Sequence, residues 1–508
     1  MRLLRKLLLA GLVATVLVAG GAAAVGGWLW NRAVVNTVGE VAFTDELAIP
    51  PLAESRIDGE GRRVFDLTAD EGSHDFGRGA PTPTWGFNGD HLGPTLRARR
   101  GEEVVVNVDN SLPETTTVHW HGMHLPAAMD GGPHQPIAPG DTWSPRWLVD
   151  QPAATLWYHP HPHGETEHHV YRGLAGMFIL DDDETSVLDL PDEYGVDDIP
   201  VIVQDKRFRG SDLDHSAPMF SDIGVLGDTI AVNGTVGPYL EVTTERVRLR
   251  LLNGSTARTY NFGFDDNRTF ALIGTDGGLL EAPHHTDRVM LSPGERAEVV
   301  LEMRPGEEAV LRTYPAELGV NHPGGRFVGR DDTFDVLQLR VAERLASRPE
   351  VPERMVNVPR IDPAEAARTR PFRLSGRRIN GERMDMGRID FAVEAGSTEV
   401  WEVWNGAGTP HNFHVHDVQF QVLTVDGRPP PPELSGWKDT IYLPPEIRFE
   451  IIARFSRYAD PDMPYMFHCH LLYHEDRGMM GQFVTVEPGD RPGTGTGTGS
   501  TDHEHGRA

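Results

Sequence analysis

The chain has 508 residues, enough for roughly three domains of about 150 residues each. Hydrophobic residues make up 39% and charged residues 24% of the sequence, as in globular proteins with buried cores. The formal net charge of −28 argues against nucleic-acid binding, which requires a basic surface.

Residues 1–30 have the composition of an export segment. Arg2, Arg5 and Lys6 precede an apolar run that starts at Leu7, and the small residues at 22–24 suit a cleavage site. The run is also long enough to span a bilayer as a retained anchor. A cleaved signal peptide and a membrane anchor both stay open, and either one exports residues 31–508. We therefore expect an extracytoplasmic protein, either secreted or anchored to the outer face of the cytoplasmic membrane.

Three strand-forming segments, about 150 residues apart, repeat one pattern. Alternating residues on one side of each segment are apolar, and the segments end at Asn110, Asn253 and Asn405. Nine and eleven residues further on, the first and third copies carry histidines, whereas the second carries Phe262 and Phe264. The repeat indicates duplicated domains, of which the middle one has no metal ligands.

The content of turn-forming residues, Gly 55 and Pro 39, favours short strands over long helices. We predict an all-β chain of three antiparallel Greek-key sandwiches or barrels. Charged, proline-containing linkers separate domains at residues 45–183, 195–345 and 371–488. The Gly-Thr repeats that follow predict a disordered tail at residues 489–508.

Four His-x-His pairs lie in the predicted first and third domains. Alternate side chains of an extended strand share a face, so each pair presents two imidazoles to one side. Eight imidazoles at repeat-related positions predict a multi-metal cluster between the two domains. The pairs are His119/His121, His161/His163, His414/His416 and His468/His470. The overlapping run His159-Pro-His161-Pro-His163 leaves the role of His159 open.

The stretch 467–480 contains the only cysteine of the chain, Cys469. A lone cysteine in an exported protein forms no internal disulfide, which favours a ligand role. His474 and Met479 follow it, and His411 is the natural second imidazole. Two imidazoles, a thiolate and a methionine form the ligand set of a blue-copper site. The alternatives are a zinc site and a structural cysteine.

These motifs resemble those of the multicopper oxidases. The similarity covers roughly residues 45–488, and its motifs are highly specific. They are His119-Trp-His-Gly, His161-Pro-His-Gly, His411-Asn-Phe-His-Val-His and His468-Cys-His followed by His474 and Met479. Gly436-Trp-Lys-Asp-Thr and other segments resemble the branch of bacterial copper-efflux oxidases, bilirubin oxidases and laccase-like enzymes. The resemblance implies three cupredoxin-like Greek-key domains and four copper ions.

The resemblance also implies how the ligands divide among these ions. The blue, type 1 copper is matched by His411, Cys469, His474 and Met479. The type 2 copper is matched by His119 and His414, and the coupled type 3 pair by His121, His161, His163, His416, His468 and His470. Asp130 and Glu475 match family positions that resemble proton donors. Their alternative interpretations are a turn cap and a surface carboxylate.

The family oxidises small donors one electron at a time and reduces dioxygen to water. We expect phenols, aromatic amines, bilirubin-like compounds or metal ions as donors, and a monomeric protein. A methionine-rich insert before the third domain is missing, and Gly406-Ala-Gly-Thr-Pro precedes His411, which argues against a dedicated cuprous site. The competing hypotheses are a copper-storage or copper-tolerance protein of the cell envelope, a scaffold without metals, and a copper nitrite reductase.

Overall fold

The computed structural model describes residues 20–21, 25–218, 221–455 and 457–493. Most of the predicted export segment, residues 1–30, and the predicted tail from residue 494 onward lie outside these described residues. A helix covers residues 25–32. Within the described ranges, no helix combines the length and the apolar character needed to cross a membrane.

Short strands account for most of the regular structure in the described residues, which confirms the prediction of an all-β fold. Two short helices, α1 (Thr166–Arg172) and α2 (Leu472–Glu475), interrupt them. Short 3-10 helices occur at Ala127–Met129, Thr185–Val187, Pro323–Val328, Pro363–Glu365 and Pro432–Leu434. The strands of the first third are β1 (Asp45–Glu46), β2 (Ser55–Ile57), β3 (Arg63–His74), β4 (Thr82–Phe87), β5 (Leu96–Arg99), β6 (Glu103–Asn110), β7 (His119–His121), β8 (Thr142–Trp143), β9 (Arg146–Leu148), β10 (Ala154–His159) and β11 (Gly176–Asp181).

The remaining strands follow in two further groups. The middle group is β12 (Asp198–Lys206), β13 (Phe208–Arg209), β14 (Asp212–Leu213), β15 (Thr229–Val232), β16 (Thr235–Val236), β17 (Pro238–Thr244), β18 (Arg246–Asn253), β19 (Tyr260–Phe264), β20 (Phe270–Thr275), β21 (Gly278–Thr286), β22 (Val289–Leu291), β23 (Arg296–Glu302), β24 (Glu308–Thr313) and β25 (Phe334–Ala346). The last group is β26 (Ala366–Leu374), β27 (Phe391–Glu394), β28 (Thr398–Asn405), β29 (His411–Val415), β30 (Phe420–Val425), β31 (Thr440–Leu443), β32 (Arg448–Arg454), β33 (Asp460–His468) and β34 (Met480–Val486).

Each group forms two larger sheets that enclose a hydrophobic core. The first pair of sheets has the orders β2-β3-β6-β8 and β5-β11-β10-β7, with β4 and β9 attached to the former. The second pair has the orders β16-β15-β12-β18-β23-β20-β21 and β1-β17-β25-β24-β19-β22. The third pair has the orders β26-β28-β32-β30 and β27-β34-β33-β29-β31. The predicted domain boundaries stay a prediction.

The sheets differ from the antiparallel prediction because parallel pairs recur in every group. In one sheet of each pair, β3 runs parallel to β6, β12 to β18, and β26 to β28. In the other sheet, β5 runs parallel to β11, β17 to β25, and β27 to β34. β1 lies at the edge of the middle sheet pair, parallel to β17. Sequence alternation identifies strands but does not specify the direction of their neighbours, which depends on the long connections.

The three asparagines of the sequence repeat perform one structural task. Each ends a strand and is buried. The side-chain amide of Asn253 donates to the carbonyls of Arg258 (2.8 Å) and Leu291 (2.9 Å), and its oxygen accepts from Ser255 N–H (3.1 Å). Asn110 and Asn405 make equivalent bonds to their own loops. The same buried hydrogen bonds therefore hold the turn that aims the following strand in all three copies.

Candidate metal centre

The predicted blue-copper residues are buried together in the third sheet pair. His411 begins β29, Cys469 follows β33, and His474 lies on α2. The Nδ1 atoms of His411 and His474 are 3.1 Å apart, and each is 3.6 Å from Cys469 Sγ. Met479, also fully buried, is tied to the set because its N–H donates to His474 O and its carbonyl accepts from Cys469 N–H.

Six histidines form two triangles of facing ring nitrogens between the first and third sheet pairs. In one triangle, His159 Nε2 lies 3.4 Å from both His121 Nδ1 and His470 Nε2. In the other, His468 Nε2 lies 3.2 Å from both His161 Nε2 and His416 Nε2. The strand registers bring these side chains together, since β10 pairs with β7 and β29 pairs with β33.

His119 and His414 lie between the two triangles. The ring of His119 stacks on His416 with centroids 3.8 Å apart, and His414 stacks on His121 with centroids 3.7 Å apart. The Nε2 atoms of His119 and His414 are buried and have no hydrogen-bond partner among the described residues. Buried polar atoms are normally satisfied, so these two point to a ligand.

Hydrogen bonds on the far side of the rings select the tautomers. The Nδ1–H groups of three histidines donate to backbone carbonyls. These bonds join His119 to Asp130 (3.0 Å), His414 to Asp439 (2.9 Å) and His159 to Pro160 (2.8 Å). In each case the proton is held outward, and the Nε2 lone pair is directed into the cluster. This arrangement is typical of metal-binding histidines.

Three buried carboxylates surround the cluster. Asp130 Oδ2 lies 2.7 Å from His416 Nδ1. Glu475 contacts two histidines of the second triangle, with Oε2 3.0 Å from His468 Nδ1 and Oε1 3.4 Å from His161 Nδ1. Both carboxylates therefore contact the outward nitrogens of cluster histidines, and the surface-carboxylate interpretation of Glu475 is wrong because this side chain is buried.

The third carboxylate, Asp439, was not singled out from the sequence. Its Oδ1 lies 3.0 Å from His121 Nε2, and Arg296 of the middle sheet pair donates to both of its oxygens, at 2.7 and 2.6 Å. A second link from the middle sheet pair is the carbonyl of Pro293, which accepts from Asn412 Nδ2 at 2.9 Å. Asn412 Oδ1 in turn accepts from His470 N–H at 2.5 Å. The middle sheet pair thus positions a cluster to which it contributes no histidine.

The protonation states of the copper-free chain suit ligand binding. Burial lowers the pKa of His161 to about 4 and of His470 to about 3. Burial also lowers the pKa of His474 to about 4, and the positive charges of Arg377 and Arg477 act in the same direction. Neutral imidazoles with free lone pairs are therefore present at neutral pH. Burial raises the pKa of the Cys469 thiol to about 12, so its deprotonation calls for a bound cation.

The donor sets fit the copper ions that the resemblance implies. Transition-metal ions bind imidazole nitrogens at about 2.0–2.1 Å, so tetrahedrally arranged nitrogens around one ion stand about 3.3 Å apart. The spacings of 3.2 and 3.4 Å in the triangles agree with this value. The set of two imidazoles, one thiol sulfur and Met479 has the composition of a blue-copper site.

The structure brings together the predicted ligands with one exception. His163 is exposed in a turn and lies outside both triangles, whereas His159 is fully buried in one of them. The physical reason is the turn at 163–165, which includes Gly164 with a φ of +83° and ends the extended backbone. The two histidines that this segment contributes to the triangles are therefore 159 and 161, whereas the sequence predicted 161 and 163. The signal for it was the location of His159 at the end of a long apolar strand.

Family models match most of the chain. Three models described as multicopper oxidase match residues 68–185, 208–314 and 351–489. The chain is 37% identical over 448 residues to a multicopper oxidase of Staphylococcus haemolyticus, covering 86% of this chain and 92% of that protein. It is 38% identical over 446 residues to the cell division protein FtsP of Dickeya dadantii, covering 86% of this chain and 92% of that protein.

A solved structure has the same fold. The laccase-like multi-copper oxidase CueO of the lignin-degrading bacterium Ochrobactrum sp. superposes with a TM-score of 0.79 at 36% identity. The match covers 87% of this chain and 100% of that one. That enzyme has oxidase activity towards lignin model compounds and lignosulfonate. The prediction of three cupredoxin-like domains is confirmed by this similarity.

Proposed function

The chain belongs to the multicopper oxidase family of copper-dependent oxidoreductases, and on that premise we propose that it couples the oxidation of small donors to the reduction of dioxygen. Each donor molecule loses one electron, and four electrons with four protons convert one dioxygen to two waters. The observation that supports the proposal is that two sets of metal-binding side chains lie next to each other in the sequence. Cys469 belongs to one set, and its two neighbours in sequence, His468 and His470, belong to the other.

We propose four copper ions held by twelve residues. The type 1 site is formed by His411, Cys469, His474 and Met479, and the type 2 site by His119 and His414. The type 3 pair is held by His121, His159 and His470 on one side and by His161, His416 and His468 on the other. His159 replaces the predicted His163. When bound, copper supplies the one-electron redox chemistry that amino-acid side chains lack.

The remaining roles fall to residues around these ligands. Asn412, Asp439 and the outward hydrogen bonds hold the imidazoles in orientation. Asp130 and Glu475 are proposed to hold and pass the protons that dioxygen reduction consumes, because their carboxylates lie next to His416 and to His161 and His468. The buried surroundings exclude bulk water from the cluster.

The substrate class is proposed from chemistry and from the relatives. Phenols and aromatic amines, bilirubin-like compounds, and oxidisable metal ions lose single electrons readily, and the Ochrobactrum enzyme acts on lignin model compounds. An alternative is a copper-tolerance role, as a cuprous oxidase or in metal storage. We further propose that the protein works outside the cytoplasm as a monomer, either secreted or attached by its N-terminal segment.

A role in cell division is the rival suggested by the FtsP relative. A scaffold for other proteins has no need for buried imidazole nitrogens without a hydrogen-bond partner. Each such nitrogen lowers the free energy of unfolding when it binds nothing. This chain has them at His119 and His414, in addition to the Cys469 set. The complete donor sets therefore favour the oxidase over a scaffold.

Oxygen uptake by the copper-loaded protein tests the proposal. The donors are Cu(I), Fe(II), bilirubin, a dimethoxyphenol and an aromatic diamine, each measured with and without prior copper loading. We expect copper-dependent uptake of one dioxygen for every four electrons removed, without released peroxide. A loaded protein that consumes no oxygen with any donor contradicts the oxidase and favours copper storage.

A further inference from the structure

An open cavity of about 460 Å³ lies beside the predicted blue-copper set. Three arginines, Arg377, Arg383 and Arg477, line it, and we name them the arginine face. Its other lining residues are His163, Met384, Asp476 and Gly478. The volume is sufficient for a small aromatic molecule.

The backbone fixes this face to the electron-accepting site. Arg477 follows the ligand His474 by three residues, and Gly478 directly precedes Met479. Met384 N–H donates to Gly478 O at 2.9 Å, which joins the segment carrying Arg383 to this loop. A Cβ atom at Gly478 would lie 3.2 Å from Arg383 Cβ, so the two segments are in close contact.

The arginine face differs electrostatically from the rest of the molecule. The chain carries a net charge of −28, yet none of the three arginines has a carboxylate within 4.0 Å among the described residues. The nearby Arg388, by contrast, is 2.7 Å from Asp390. Three guanidinium groups without an ion-pair partner around one cavity produce a local positive potential that attracts anions.

The acidic groups near the face do not cancel it. The carboxylate of Asp476 accepts from the N–H groups of Thr166 (2.8 Å) and Glu167 (2.9 Å), and is directed at α1. Asp222 interacts electrostatically with Arg377 but lies more than 4.0 Å from it. Neither acid forms an ion pair with the arginine face.

An aromatic ring packs against the arginine face. The guanidinium of Arg477 lies 3.5 Å from the Tyr473 ring centroid, and that of Arg377 lies 5.0 Å from it. The half-buried Tyr473 precedes His474, with ring centroids 6.2 Å apart. Planar cations stacked on an aromatic ring offer both charge and a flat apolar surface to a ligand.

We propose that the arginine face binds electron donors that carry an acidic group on an aromatic ring, such as phenolic carboxylates and aromatic sulfonates. This inference rests on the proposed oxidase function and names its substrate class. The anionic group contacts the guanidinium groups, and the ring lies near Tyr473 and His474. The donor loses one electron, and a phenol also loses its hydroxyl proton to solvent, while dioxygen is the final oxidant.

Two donors that differ by one carboxylate provide the kinetic test. Syringate and 2,6-dimethoxyphenol share the oxidisable ring, and only the former is anionic. In the triple variant Arg377→Gln/Arg383→Gln/Arg477→Gln, we expect the KM for syringate to rise about tenfold, since each exposed charge contributes a factor of a few. The KM for dimethoxyphenol stays within a factor of two. A change in reduction potential affects both donors alike, so the ratio isolates anion binding.

A redox-inert anion separates binding from turnover. Isothermal titration of benzene-1,3-disulfonate into copper-free and copper-loaded protein should show binding that weakens with salt and is lost in the triple variant. Arg146→Gln, at an exposed arginine of the first sheet pair, is the matched control and should bind like the parent. Equal KM changes for the two donors, or equal disulfonate binding by the triple variant, overturn the proposal. Disulfonate binding without any oxygen uptake contradicts the oxidase while leaving the anion site intact.

Discussion

His159 and His163 are the same residue type four positions apart, and they have different environments. His159 ends β10 and faces His121 and His470, whereas His163 is exposed on the far side of a turn. We expect His159→Ala to lose one ion of the type 3 pair and nearly all oxygen reduction. His163→Ala, the matched control, should keep four copper ions per chain. Metal analysis and the electron paramagnetic resonance signal of an uncoupled type 3 ion measure both outcomes, and full copper loading of His159→Ala would contradict the ligand assignment.

The ligands predicted from the sequence and those proposed from the structure agree at eleven positions and differ at the twelfth for a definable reason. Alternation along an extended segment makes His159, His161 and His163 equivalent, and only the turn at 163–165 distinguishes His163 from the other two. That turn contains Gly164, whose positive φ (+83°) favours glycine. Asp439 and Arg296 were missed because their contact joins positions 143 residues apart, which no local pattern encodes.

Glu475 offers a test of proton supply at a single residue. Its carboxylate contacts His161 and His468 and lies one residue from His474. We expect Glu475→Gln to lower the rate of oxygen reduction by about 100-fold or more, since it removes a proton-transfer group. The blue absorption of the Cys469 site should be preserved, because the substitution is nearly isosteric.

Stopped-flow measurement of the two half-reactions identifies the affected step. Anaerobic reduction of the blue site by a donor should keep its rate in Glu475→Gln, whereas reoxidation by dioxygen slows and its pH profile changes. Glu487→Gln, at an exposed position further along the chain, serves as the control. An unchanged turnover number at full copper loading would remove Glu475 from the proton path.

At the scale of elements, the segment from β33 through α2 to β34 joins the two donor sets. β33 ends at His468, α2 carries His474, and Met479 directly precedes β34. The tight turn into α2 returns the chain to the Cys469 set, because His474 N–H donates to Leu471 O at 2.7 Å. Sequence spacing predicted this segment well, since its ligands are local. The partner His411 comes from β29, and its approach depends on the strand pairing.

Helix α1 carries a titratable group that makes stability depend on pH. His169 is buried, and burial lowers its pKa to about 3, with the charges of His168 and Arg172 acting in the same direction. The unfolded chain takes up a proton as the pH falls below about 6.5, whereas the folded chain does not until about pH 3. The free energy of unfolding therefore decreases across this window as the pH falls, by up to about 1.4 kcal/mol per pH unit for this group.

Urea unfolding from pH 6.5 to 4.5 measures this contribution. In His169→Gln, the decline of the unfolding free energy with falling pH should be less steep than in the parent at equal copper content. Thr116→Val removes the 3.0 Å contact between Thr116 Oγ1 and His169 Nδ1 but keeps the imidazole. It should lower stability and retain the parent slope. Parallel curves for the parent and His169→Gln would show that His169 does not titrate in this window.

At the scale of the whole molecule, the cluster joins parts of the chain that are far apart in sequence. Its histidines come from the first and third sheet pairs, and Arg296 and Pro293 of the middle pair support it. The repeat had already predicted that first and third copies share a cluster, because only they carry His-x-His. The contribution of the middle copy could not be predicted, since it consists of an arginine and a backbone carbonyl rather than ligands.

Copper removal should therefore weaken the whole assembly rather than one sheet pair. An ion that binds only the folded state stabilises it by RT ln(1 + [L]/Kd), or about 4 kcal/mol at a thousandfold excess over Kd. We expect a clear fall in the unfolding temperature after copper removal, measured by calorimetry. Cys469→Ser affects a site whose ligands all come from the third sheet pair. This variant should therefore keep most of the rise in unfolding temperature that copper loading causes.

The variant His161→Ala/His468→Ala removes cluster ligands from both the first and the third sheet pair, so it should lose most of that rise. Equal losses in the two variants would contradict the bridging role of the cluster.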